Sequence, residues 1–158
     1  MSRFDQKQMS ADIQLMKTEM KIPIIKPSDD VQGIMNTIMN NKLDGVGIHD
    51  LYNYSAKIAV YALYIKGEIN SLRAKQDWLE SNIKNIVGKN IRNVEGYGYN
   101  EKECYIRAND ELASQLDEQL INNKAKLNVL YGTDEKLQYI ANILQNIAKE
   151  RSYSRNNM

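Results

Sequence analysis

The sequence predicts an all-α fold: a long antiparallel helical hairpin, coiled-coil-like, preceded by short helices and oligomeric. Three observations lead there. Leu51, Ile58, Ile65, Leu72, Leu79 and Ile86 are spaced seven apart without exception, the pattern of one long helix facing a partner along a slowly supercoiling seam. Ala113, Leu116, Leu120, Leu127, Leu130, Leu137, Ala141 and Leu144 fall on a second seven-residue lattice. The only two prolines, Pro23 and Pro27, lie before both lattices, so nothing downstream forbids helix.

Taken in order, Asp5 to Lys21 places Ile13, Met16 and Met20 at helical spacing, which predicts a short amphipathic helix. The stretch KIPIIKP ends it, because each proline pushes the residue before it out of the helical region. Ser28 then reads as an N-cap, with Asp29 and Asp30 well placed against the helix dipole. The helix that follows carries Val31, Ile34, Met35, Ile38 and Met39 on one face and stops at NNKLDGVG. These residues, 1–47, form an N-terminal segment of short helices and loop; 48–158 form the hairpin.

In the first long helix the companion position of the repeat holds Tyr54 and Tyr61, then shifts by one to Ile69, Gln76 and Ile83. Gly67 sits inside it at a cost of about 1 kcal/mol relative to alanine. The helix is expected to end near NVEGYGYN, and Gly132 to kink or divide the second long helix. Ile140, Ile143 and Ile147 widen the apolar face beyond what a two-helix seam requires, which predicts a homo-oligomer with these residues at the interface.

The totals exclude several function classes. A chain of 158 residues with net charge +1 has no global electrostatic signature of a nucleic-acid or membrane partner. The single Cys104 excludes an internal disulfide and favours a reducing, cytoplasmic compartment. No apolar run reaches membrane-spanning length, and the opening MSRFDQKQMSADIQ has no apolar signal region. Catalysis has little to build on. His49 beside Asp50 has no nucleophile near it in sequence, and one cysteine with one histidine cannot fill a structural zinc site. The run Gly45-Val46-Gly47 lacks the third glycine and the lysine of a phosphate loop. Glu101, Glu103, Asp110, Glu111, Asp117 and Glu118 read as a solvated helix face sooner than as a magnesium site. A non-enzymatic protein with no cofactor and no metal is expected.

A binding surface has more support. Ten tyrosines against one phenylalanine is a skewed aromatic choice, and tyrosine suits surfaces that are part apolar and part wet. Lys66, Arg73 and Lys84 fall within about 20° on a helical wheel, and Lys57 and Lys75 share a second line. Lys84, Lys89 and Arg92 occupy a stretch free of acids from Asn82 to Val94, just before Tyr97 and Tyr99. Charges for phosphates beside rings for base faces are what a single strand requires. The same residues also suit an ordinary solvated helix surface whose tyrosines fill the seam. The end of the chain repeats the combination, with Arg151, Tyr153 and Arg155 following an apolar helical stripe.

Ile143-Leu144-Gln145-Asn146-Ile147 followed by Arg151, Tyr153 and Asn156 resembles the closing helix of the bacteriophage UvsY-like recombination mediators. Leu72-Arg73-Ala74-Lys75-Gln76-Asp77-Trp78 is similar to the segment with which that family binds single-stranded DNA. The resemblance covers residues 48–156 and extends to the plan of a long helix, a glycine break and a second long helix. It implies a non-catalytic mediator acting in host cytoplasm: a ring-like homo-oligomer that binds single-stranded DNA, helps displace the single-strand-binding protein and loads the phage recombinase. Arg73, Lys75 and the tail residues Arg151, Tyr153 and Arg155 would then contact DNA. The competing expectation is a phage structural or assembly protein built on the same hairpin without DNA binding.

Overall fold

A computed structural model of the chain describes residues 29–40, 42–96 and 98–156. The expected helix over 5–21, the KIPIIKP break and the Ser28 cap lie outside the described residues. Five α-helices follow one another: α1 (Asp29–Met39), α2 (Ile48–Asn90), α3 (Tyr99–Asn109), α4 (Glu111–Leu130) and α5 (Thr133–Asn156). Short 3-10 turns occupy Lys42–Gly45 and Ile91–Asn93. The described residues are helical apart from short connections, with no strand among them.

The chain divides into two compact units. The first holds Ser71–Val129, and the second the described parts of Ile24–Asn70 and Leu130–Met158. Helix α2, 43 residues long, contributes to both.

In the first unit Leu79, Ile83, Ile86 and Val87 of α2 form a core with Ile106 of α3 and Ala113, Leu116 and Leu120 of α4. Trp78, Ile91, Val94 and Leu112 close its edge. Polar contacts set the direction of the pairing. The Asn90 amide donates to Asp110 Oδ2 at 3.2 Å, and the Asn123 amide to the Leu72 carbonyl at 2.7 Å. Lys124 lies 3.1 Å from Glu80. Rising numbers on α2 therefore meet falling numbers on α4.

The second long helical pattern is cut twice. At Asp110 the backbone turns extended, with ψ 119°, and Asp110 Oδ1 accepts from the Ala113 N–H at 2.9 Å. A short carboxylate at the start of α4 satisfies one of its orphan donors and fixes a new helix there. At Gly132 the backbone takes φ 69°, a left-handed conformation that glycine adopts without strain. Gly132 thus divides α4 from α5.

In the second unit α2 buries Leu51, Ile58, Ala62, Ile65 and Ile69, α5 buries Leu137, Ala141, Leu144 and Ala148, and α1 buries Val31 and Ile34. Met39, expected on the apolar face of α1, is 71% exposed. Ser55 Oγ donates to the Ala141 carbonyl at 2.8 Å, while Arg151 reaches Leu43 and Val46, so α2 and α5 also pair rising with falling numbers.

The seam differs from the expected one in its companion position. Tyr54 and Tyr61 are only half-buried, and Ala62 is 3% exposed. The lattice runs unshifted through Leu51, Ser55, Ile58, Ala62, Ile65 and Ile69, alternating steps of four and three, all buried but the half-buried Ser55, which bonds α5. Small residues hold these layers because small residues, Ala141 and Ala148, are buried on α5; a tyrosine ring would hold the backbones apart.

Candidate nucleic-acid interface

The residues singled out from the sequence fall in both units. In the first unit Arg73, Lys84, Lys89, Arg92 and Tyr99 are exposed, and Lys75 is half-buried. Tyr97 lies outside the described residues.

Helical geometry sorts them. Arg73 and Lys84 lie about 20° apart around α2, but Glu80 occupies the same line between them. Glu80 is bound to Lys124 at 3.1 Å and accepts from Gln76 at 3.0 Å. The Lys124 bond, then the Gln76 bond, hold its carboxyl below the ordinary carboxylate value, so the line carries a fixed negative charge. Lys75 is about 200° round from Arg73 and faces α4. There burial, and then the neighbouring Lys75, push the Lys126 ammonium below its ordinary value. The segment resembling the family's binding motif therefore does not present Arg73 and Lys75 on one face. Lys84, Lys89 and Arg92 keep their exposure, and no acid lies between Asn82 and Val94.

In the second unit Lys66 lies in a groove lined by Ala62, Leu63, Asp134, Glu135, Gln138, Tyr139 and Asn142. Two carboxylates beside the ammonium make this groove a poor seat for phosphate. At the tail, α5 continues as helix to Asn156, and Arg151 points inward. Its Nη1 donates to the Leu43 carbonyl at 3.1 Å and to the Val46 carbonyl at 2.9 Å, with Asp44 3.6 Å from Nη2. Charge-assisted bonds to two carbonyls tie α5 to the 3-10 turn. Arg155 and Tyr153 remain exposed, Tyr153 at 71%, and on the continuous helix Tyr153 lies about 200° from Arg151. Ile140 and Ile147 are half-buried, and Ile143 is 38% exposed.

Three of the clustered acids have structural partners. Arg107 bonds Glu103 at 2.7 Å and Asp117 at 2.9 Å, bridging α3 and α4, while Asp110 caps α4. Among the described residues no group of three or more His, Cys, Asp and Glu side chains is arranged to hold a metal ion. No helix of the described residues is long and apolar enough to cross a membrane.

Sequence reasoning missed three features: the Arg151 clamp, the Lys75–Lys126 pair and the buried amides of Gln119 and Asn123. The signal for the first was present. Leu137, Ala141, Leu144, Ala148, Arg151 and Arg155 continue one lattice in steps of four and three, which puts both arginines on the seam line. No protein family, curated protein or solved structure matches this chain.

Proposed function

We propose that the chain is a non-enzymatic bacteriophage recombination mediator: a self-associating, long antiparallel helical hairpin that binds single-stranded DNA and assists recombinase loading in host cytoplasm. One observation carries this reading beyond the UvsY-like motifs. Lys84, Lys89 and Arg92 are exposed, no acid stands between Asn82 and Val94 although Glu80 lies one turn before Lys84, and the run ends seven residues before the exposed Tyr99. The DNA contact is accordingly assigned to the end of α2 and the start of α3, with Tyr153 and Arg155 as outlying contacts and Arg151 as a structural clamp. Modest charge suffices when several subunits engage one strand, because linked weak contacts multiply.

A labelled single-stranded oligonucleotide titrated across a salt series tests the reading. Affinity should fall with salt, and replacing Lys84, Lys89 and Arg92 by alanine should flatten the slope of log affinity against log salt by about 0.7 per lost contact. Tyr99→Ala should weaken binding by about 1–3 kcal/mol at unchanged slope, because stacking releases no counterions. Arg151→Ala should lower the melting temperature and leave the slope alone. Failure of the unaltered protein to bind even at low salt sinks the mediator assignment.

That outcome leaves the second reading, a phage structural or assembly protein. The exposed Val60 and Leu63 on α2 favour it, since a surface for other proteins needs no DNA.

A further inference from the structure

Helix α2 has a second apolar line, on the side facing away from its buried seam. Val60 is 67% and Leu63 66% exposed, and Ala56 and Gly67 are exposed on either side of them. Positions 53, 56, 60, 63, 67 and 70 alternate steps of three and four, the spacing of a helix–helix seam. All six lie within the second unit.

The order of residues along this line reads the same in both directions. Asn53, Ala56 and Val60 are matched by Asn70, Gly67 and Leu63 about a midpoint between Tyr61 and Ala62. Amide answers amide, small answers small and aliphatic answers aliphatic. A surface with that symmetry is complementary to itself when a second copy is turned end over end, as a twofold interface demands. Gly67 adds an independent reason. A glycine inside a helix weakens it, yet a Cβ built there would meet nothing within 4 Å, so no contact within the chain requires the glycine. Opposite Ala56 of a second copy it would let two backbones approach closely.

Charge agrees with this arrangement. In an antiparallel pair each flank of the line meets the same flank of the other copy. Lys57 and Glu68 share one flank and oppose each other to within two residues, Lys57 being already held by Asp30 of its own chain at 2.8 Å; Lys66 lies on the other. The arrangement thus keeps Lys57 of one copy away from Lys66 of the second.

We propose that the outer face of α2 is a homodimer interface: two copies pair antiparallel about a twofold axis between Val60 and Leu63, with Ala56 of each against Gly67 of the other. This uses the self-association in the proposed function but not the DNA binding, and moves the contact from Ile140, Ile143 and Ile147 to α2.

Sedimentation and engineered cysteines test it, the latter in a Cys104→Ser background. The unaltered protein should sediment at micromolar concentration as a dimer or a multiple of one. Leu63→Asp should remove the pairing, halving the mass of a simple dimer, with an unchanged helical circular dichroism signal, because the site is already exposed; Ile143→Asp should leave the mass as it was. A chain carrying both Ala56→Cys and Gly67→Cys should oxidise to a covalent dimer. Neither single cysteine should do so, because like positions lie about 16 Å apart along the axis in an antiparallel pair. A monomeric protein, an Ile143→Asp variant that dissociates while Leu63→Asp does not, or a single-cysteine chain that cross-links to itself would each overturn the proposal. Loss of DNA binding alone would leave it standing.

Discussion

The two ends of α2 solve the same packing problem with different residues. Towards Asn90, in the first unit, the seam is large and partly polar: Leu79, Ile83 and Ile86 are buried with Leu116 and Leu120, and so are the amides of Gln119 and Asn123. Towards Ile48, in the second unit, Ser55 and Ala62 alternate with Leu51, Ile58 and Ile65, while Ala141 and Ala148 are buried on α5. The first end depends on bulky side chains and on polar groups that must find partners. The second depends on small ones that let the helices close. Gln119 Nε2 and Oε1 and Asn123 Oδ1 have no hydrogen-bond partner among the described residues, and an unmade bond on a buried polar atom costs about 1–3 kcal/mol. A buried amide restricts register, since only one alignment brings the Asn123 amide to the Leu72 carbonyl. The difference teaches that regular spacing hides two kinds of specificity, one set by polar pairing and one by side-chain size.

The contrast can be broken most forcefully at a shared apolar layer. Leu79→Asp leaves an unpaired charge in a site 1% exposed, and should cost several kcal/mol and unfold at least the first unit. Thermal melting followed by circular dichroism reads this; an unchanged midpoint would mean that the seam is wrongly placed. Next comes the size rule. Ala141→Leu should destabilise by about 1–3 kcal/mol by overpacking, although leucine is the more apolar residue; a neutral or stabilising result would remove the small-residue account. The polar rule predicts the opposite sign. Gln119→Leu should stabilise by about 1 kcal/mol in urea unfolding, since it removes two unpartnered polar atoms at similar volume.

The smallest effect concerns pH. The Glu80 carboxyl is held below its ordinary value of 4.5, so its contribution is present above that value and is lost as pH falls through the lower folded-state value. Exposure limits the Lys124 pair to a few tenths of a kcal/mol. Glu80→Gln should therefore trim stability slightly at neutral pH and flatten the acid limb of the stability profile.

How far the sequence could be read depended on residue type. The positions Leu51, Ile58, Ile65, Leu79 and Ile86 announced themselves because large apolar residues at fixed spacing have no common alternative explanation; Leu72, on the same spacing, is only half-buried. Ser55 and Ala62 did not, because small residues occur on any surface, and the tyrosines beside them drew the pattern sideways by one. The break at Asp110 was concealed inside an acid run, where a capping carboxylate looks like every other. Among the candidate site residues, Lys84, Lys89 and Arg92 stand exposed as their charge suggested. The inward bonds of Arg151 were not legible because a guanidinium on an apolar lattice reads as the start of solvent, while the two carbonyls that receive it lie more than a hundred residues earlier.

That separation bears on the order in which the molecule assembles. Arg151 reaches back 108 positions to Leu43 and 105 to Val46, whereas helices form from contacts three and four residues apart. Local helices form in about a microsecond, while long loops must close before such distant contacts can contribute. The Leu43 carbonyl already accepts from the Val46 N–H at 3.0 Å within the turn, so local bonding shapes the turn first. The guanidinium adds its two bonds only once α5 is in place, as a latch on a turn already made.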